Sequence, residues 1–289
     1  MRRTVQRTVT IDGIGLHSGR PVRIHVRPAI PGKGILFRRS DMVPARDIAA
    51  LWHNVEQTPL CTRLVDPSGV SISTIEHLMA AFAALAVTDV IVDVDGPEIP
   101  IMDGSALPFV EAIGAAGMRP LPGRLQHLEV TRQVRVERGD AWASLSPSHD
   151  FTMTFEIDFP DAAIGKQSRF SRVDSRSFID ELSDSRTFCR MADVELMRSR
   201  GLALGGTMTN AVVVEGDAVL SPGGLRHDDE PVRHKMLDAV GDLALAGYPL
   251  IAHYHGHKAG HSLTNELLRK LFVTPGAYRL VEEAAPIAA

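Results

Sequence analysis

The chain has 289 residues, 44% hydrophobic and 23% charged, with a formal net charge of −4. That balance belongs to a globular protein of one or two domains and excludes a disordered chain. The weak acidity removes the bulk field that would favour nucleic acid as a partner and leaves only local basic patches for it.

Two cysteines, Cys61 and Cys189, lie far apart and match no metal spacing, so reduced thiols in a cytosol are expected. Met1 to Gln6 carries positive charge with no apolar stretch behind it, which argues against a signal peptide. The most apolar run, Leu78 to Val94, is broken by Thr88, Asp89 and Asp93. It reads as a core helix and strand rather than a membrane span, so no stable membrane insertion is expected.

The N-terminal stretch reads as β. Arg7 to Ile11 and Val22 to Val26 alternate, joined by the glycine-rich segment 13–19, and Gly34 to Arg39 follows a Pro-Gly turn. Residues 40–60 read as an irregular, polar excursion. Ile75, Leu78, Met79, Phe82 and Leu85 then recur at helical spacing. An apolar strand at Val90 to Val94, a Pro- and Gly-marked loop and a helix over Leu107 to Ala115 follow. Pro120 to Gly123 is the best linker.

Beyond it, Leu128 to Val136, Ala141 to Leu145 and Phe151 to Phe159 are strand-like. Helices are predicted over Ser177 to Leu182, Asp193 to Arg200, Val232 to Ala246 and Ser262 to Leu271, with a strand over Leu250 to His255. Both halves run strands, helix, strand, loop, helix. The expected fold is therefore α+β: two similar domains, 1–121 and 125–289, each a sheet covered by two helices.

Three features carry chemistry. On a helix, His234 and Asp238 stack on one face with Lys235 and Asp242 nearby, while Val232, Met236, Val240 and Leu243 fall opposite. That pair fits either a zinc ligand pair or an ion pair on a solvated face. Glu76-His77 fits a general base beside a metal ligand, but Ser73-Thr-Ile-Glu76 also spells a capping box. His253, His255, His257 and His261 crowd nine residues. The first three share one face of a strand, as a metal site or simply a polar face. Spacing alone does not choose among these ligand sets. Two histidines and one carboxylate would leave an open coordination position, the catalytic pattern, able to activate water against a carbonyl.

Six motifs in order along the chain narrow the choice: Gly13-Ile-Gly-Leu-His-Ser-Gly19, Ser73-Thr-Ile-Glu-His-Leu78, Pro97-Glu-Ile-Pro-Ile-Met-Asp-Gly-Ser105, Ser185-Arg-Thr-Phe188, Val232-Arg-His-Lys-Met-Leu-Asp238 and Gly260-His-Ser-Leu-Thr-Asn265. With them the chain closely resembles the UDP-3-O-acyl-N-acetylglucosamine deacetylase family, zinc enzymes of lipid A biosynthesis.

The resemblance implies a fold with helices sandwiched between two sheets and a small insert in each domain. It implies zinc ligands at His77, His234 and Asp238, with Fe²⁺ as another admissible ion. Glu76 falls on the general base, His261 on the proton donor, Asp242 on its orienting carboxylate, and Thr187 on a hydrogen-bond donor to the oxyanion. Phe188 and Lys235 fall on substrate contacts. Residues 189–213 resemble a β-α-β insert that receives a fatty acyl chain, with Val194, Leu202, Ala203, Gly206 and Ala211 as lining. His17 is read as structural or peripheral. Ala141 stands where some members carry a basic residue, which puts part of the phosphate contact in question. The implied substrate is a small molecule, an acylated UDP-amino sugar, met by a cytoplasmic monomer. The competing reading is a zinc amidase for another acylated amino sugar.

Overall fold

The computed structural model describes residues 1–58 and 60–282. The end of the second expected domain, 283–289, lies outside the described residues.

Two five-stranded sheets carry the fold. The first runs Val9–Ile14, Pro21–Pro28, Val90–Val94, Ile35–Arg39, Arg46–Ala49 in spatial order. The second runs Val134–Arg138, Ala141–Ser146, His253–His257, Thr152–Asp158, Lys166–Arg172. In each, the last strand in sequence inserts between the second and third, antiparallel to one and parallel to the other. The repeated order of strands suspected in the sequence is thus a repeated topology.

Helix α1 (Glu76–Ala84) precedes the inserted strand of the first sheet, and α2 (Leu107–Ala116) follows it. Helices α5 (Glu230–Ala244) and α6 (His261–Val273) stand in the same relation to the second sheet. Here α1 packs on α5, α2 packs on the first sheet, and α5 and α6 pack on the second. The helices therefore lie between the sheets. Burial of α1 and α5 on nearly every side follows, and a single core joins Ile24, Phe37 and Phe82 to Phe155, Leu237 and Leu267. Gly241 marks the crossing. A Cβ there would lie 2.8 Å from the Glu76 carbonyl carbon and 3.1 Å from Ala80 N, so only glycine admits this approach.

The C-terminal half adds α3 (Ser175–Glu181) and α4 (Met191–Ser199). Helix α4 joins two parallel strands, Phe188–Arg190 and Val212–Glu215, as a β-α-β unit.

Four expectations need correction. The single strand expected over Leu128 to Val136 is two strands, Gln126–Val130 and Val134–Arg138, in different sheets. Residues 40–60 are not wholly irregular: Arg46–Ala49 is the edge strand of the first sheet, and Trp52–Asn54 form a 3₁₀ turn. The strand was hidden because only Ile48 faces the core, while Arg38 pairs with Asp47 along the charged edge. The capping box at 73–76 does not form. Helix α1 begins at Glu76, with Ile75 as N-cap and no side-chain cap. Nor is the His234–Asp238 face solvated, because α1 covers it.

Candidate metal centre and its polar surround

One turn of α5 and the first turn of α1 build the centre. His234 Nε2 lies 3.3 Å from Asp238 Oδ1, and His77 Nε2 lies 3.5 Å from the same oxygen. All three residues are buried, and they form the one group with metal-ligand spacing among the described residues.

The chemistry of this trio asks for a cation. His234 Nδ1 donates to the Ser185 carbonyl at 3.0 Å, which leaves Nε2 as a bare lone pair toward Asp238. Burial pushes the His234 pKa down to about 4, so the ring is neutral near neutral pH. Burial would raise the Asp238 carboxyl, but it lies well below its ordinary range, with the Lys235 ammonium bonded to it. Oδ1 is buried with no hydrogen-bond partner. Acceptors that face one another in a dry site repel unless a positive ion lies between them. The donor set, two imidazoles and one carboxylate, suits a divalent transition metal such as zinc.

A polar chain surrounds the trio. Glu76 Oε2 accepts from Thr62 N at 2.9 Å, and the Thr62 hydroxyl donates to Asp242. Asp242 Oδ2 meets His261 Nδ1 at 2.8 Å, and His261 Nε2 lies 4.0 Å from Asp238 Oδ2. Burial raises the Glu76 pKa, partly offset by His261 and His77. Burial alone would lower His261; the charge and hydrogen bond of Asp242 outweigh it and raise the ring to about 9. A carboxylate of raised basicity and an imidazolium thus face one small volume.

Lys235 Nζ donates to Asp238 Oδ2 at 2.7 Å. The same lysine lines a cavity of about 210 Å³ with Asp158, Phe159 and Lys258. Phe188 stands edge-on to His234 at 6.2 Å and to Phe159 at 5.3 Å. Thr187 N donates to Gly104 O, so Thr187 bridges the Ser185 support of His234 to the loop 102–105. Behind it, buried Glu230 accepts from the Arg186 guanidinium and the backbone N–H groups of Arg186 and Arg226. Among the expected lining residues, Ala203 and Ala211 are buried, while Val194, Leu202 and Gly206 are half-buried.

Sequence reasoning missed Thr62, Ser185 and Glu230. Ser185 stood in a quoted motif without a role, and its contribution is a carbonyl, which no side-chain pattern reveals. Thr62 sits on a short strand-flanked segment with no pattern at all. Conversely, His253, His255 and His257 lie on the outer face of their sheet. His255 and His257 bond Glu156 at 3.2 and 2.8 Å, and His253 bonds Thr152. They form a polar strand face, as the milder of the two sequence readings had it.

Comparison with known proteins identifies relatives of this chain. The family profile "LpxC: UDP-3-O-acyl N-acetylglycosamine deacetylase" matches residues 2–273. A UDP-3-O-acyl-N-acetylglucosamine deacetylase of Shewanella oneidensis is 44% identical over 99% of this chain and 95% of its own length. Enzymes of the same name from Shewanella frigidimarina and Haemophilus influenzae are 45% and 43% identical, over 97% of this chain and 92% of theirs. The chain belongs to the UDP-3-O-acyl N-acetylglycosamine deacetylase family.

Proposed function

We propose that the chain hydrolyses the N-acetyl group of UDP-3-O-(3-hydroxyacyl)-N-acetylglucosamine in the cytoplasm, releasing acetate and the free amine for lipid A biosynthesis. The observation that carries the reading is the buried His77–His234–Asp238 trio ringed by Glu76 and the Asp242–His261 pair.

In this reading His77, His234 and Asp238 hold Zn²⁺, with Fe²⁺ as the alternative occupant. When bound, the ion supplies Lewis acidity toward the amide carbonyl and a water molecule. Glu76 takes the proton of the attacking water; its raised pKa suits a base. Thr62 N holds the carboxylate in place during that transfer. His261 enters protonated and gives its Nε2 proton to the departing nitrogen, while Asp242 fixes its tautomer and orientation from Nδ1. Thr187 donates to the developing oxyanion. Phe188 contacts the sugar, and Lys235 lies beside the cavity where the nucleotide phosphates would sit. The insert receives the acyl chain along Val194, Leu202, Ala203, Gly206 and Ala211. No helix among the described residues is long and apolar enough to cross a membrane.

Metal analysis joined to an acetate-release assay, with and without the 3-O-acyl group, tests the reading. Stoichiometric metal and faster turnover of the acylated substrate are expected. Equal turnover of both substrates would instead favour an amidase for another acylated amino sugar.

A further inference from the structure

Thr74, two residues before Glu76, has a backbone φ of 58°, a region that β-branched residues avoid. Its hydroxyl donates to Glu98 Oε1 at 3.0 Å. Glu98 is buried, and its carboxylate does more than hold Thr74. Oε1 also accepts from His17 N at 2.8 Å, and Oε2 accepts from Ser18 N at 2.9 Å. The backbone on either side is registered to the same segment, since Ser73 N donates to Pro97 O and Ile99 N donates to Ser73 O.

The loop that Glu98 grips is also the seat of the insert. Gly205 N donates to Leu16 O at 2.9 Å, and Leu204 N donates to His17 O at 3.3 Å. Ala203 N donates to His17 Nδ1 at 3.4 Å. The seam is close-packed backbone. A Cβ on Gly15 would lie 2.9 Å from the Glu98 carboxyl carbon, and a Cβ on Gly205 would overlap the Gly15 carbonyl. One carboxylate thus joins the seat of residues 202–206 to the strained turn that launches Glu76 and His77.

We propose that Glu98 is a positioning residue that couples the insert to the start of the catalytic helix, so that an acyl chain held in the insert orients Glu76. The inference rests on the reading that the insert receives that chain. Its physical content is that binding energy from a remote group raises turnover only through a stiff connection to the reacting groups. Three hydrogen bonds converging on one buried carboxylate supply that stiffness.

Two variants test it. Glu98→Gln keeps the shape, but its amide nitrogen cannot accept, so either His17 N–H or Ser18 N–H loses its partner. Gly15→Ala keeps the charge and displaces the carboxylate. For each, kcat and KM are measured on UDP-3-O-(3-hydroxyacyl)-N-acetylglucosamine and on UDP-N-acetylglucosamine, together with metal content and Tm. The ratio of kcat/KM between the two substrates is expected to fall about tenfold in both variants, mostly through kcat on the acylated one, with metal stoichiometry retained. An unchanged ratio, or equal losses on both substrates, would overturn the coupling and leave Glu98 a structural residue. If Glu98→Gln fails to fold, Gly15→Ala decides alone. A wild-type protein indifferent to the acyl group would overturn the acyl reading itself, a result visible before any variant is made.

Discussion

Replacing Gly241 by alanine opposes two effects of known size where the helices that carry the two halves of the site cross. In a helix interior, alanine is favoured over glycine by about 1 kcal/mol. Against that, the new Cβ would lie 2.8 Å from the Glu76 carbonyl carbon, nearer still to its oxygen, and 3.1 Å from Ala80 N. Every one of those atoms is backbone of α1, so no rotamer change relieves the clash. The helices must part by about 1 Å, an overpacking cost of about 1–3 kcal/mol. Sterics therefore offset or exceed the propensity gain, and Tm shifts only modestly. Activity responds far more strongly. Parting the helices moves Glu76 and His77 away from His234 and Asp238, and a misplacement of about 1 Å costs roughly 100-fold in rate. The expected result is a folded protein with kcat/KM down about 100-fold and weakened metal retention on dialysis. Wild-type turnover and metal content in Gly241→Ala would refute the idea that this helix crossing sets the site.

Glu76→Gln should retain metal and lose about 10²- to 10⁴-fold in kcat, read by acetate release, since it removes only the base. Thr62→Val keeps the backbone N–H to Glu76 but deprives buried Asp242 of a donor; a loss of about 1–3 kcal/mol in denaturant unfolding and a lower kcat are expected. Chelation should lower the Tm of the wild type and leave that of Asp238→Ala unchanged, because ligand that binds only the native state stabilises it. Burial would raise Glu230, yet hydrogen bonds from the Arg186 side chain and backbone and from Arg226 N hold it below its ordinary value. Its contribution to stability is therefore complete above the unfolded-state pKa and lost as pH falls through the folded one. Glu230→Gln should flatten the acid limb of a stability-against-pH curve, and an unchanged limb would remove that ion pair from the account.

The repeat of strands, helix, strand, loop and helix was legible because periodicity marks long elements that bury one face. Short edge strands such as Arg46–Ala49 were not, since a strand with one core residue leaves no pattern. Within the site, the four-residue spacing of His234 and Asp238 was visible, as was the adjacency of Glu76 and His77. The resemblance singled them out from the histidines at 253, 255 and 257.

What the sequence by itself determined is the family, the order of elements and the residue types of the centre, because these are written in local spacing and motif order. Only the tertiary structure decided which contacts give those residues their chemistry. Glu76 looked like a helix cap; it is instead a buried carboxylate on Thr62 N, because Ser73 N, the donor a capping box would offer it, bonds Pro97 O. His234 owes its lone pair to a carbonyl 49 residues away, and the two helices owe their approach to a glycine in one of them. Such facts join segments distant in sequence through backbone atoms, which every residue shares and no residue pattern can distinguish.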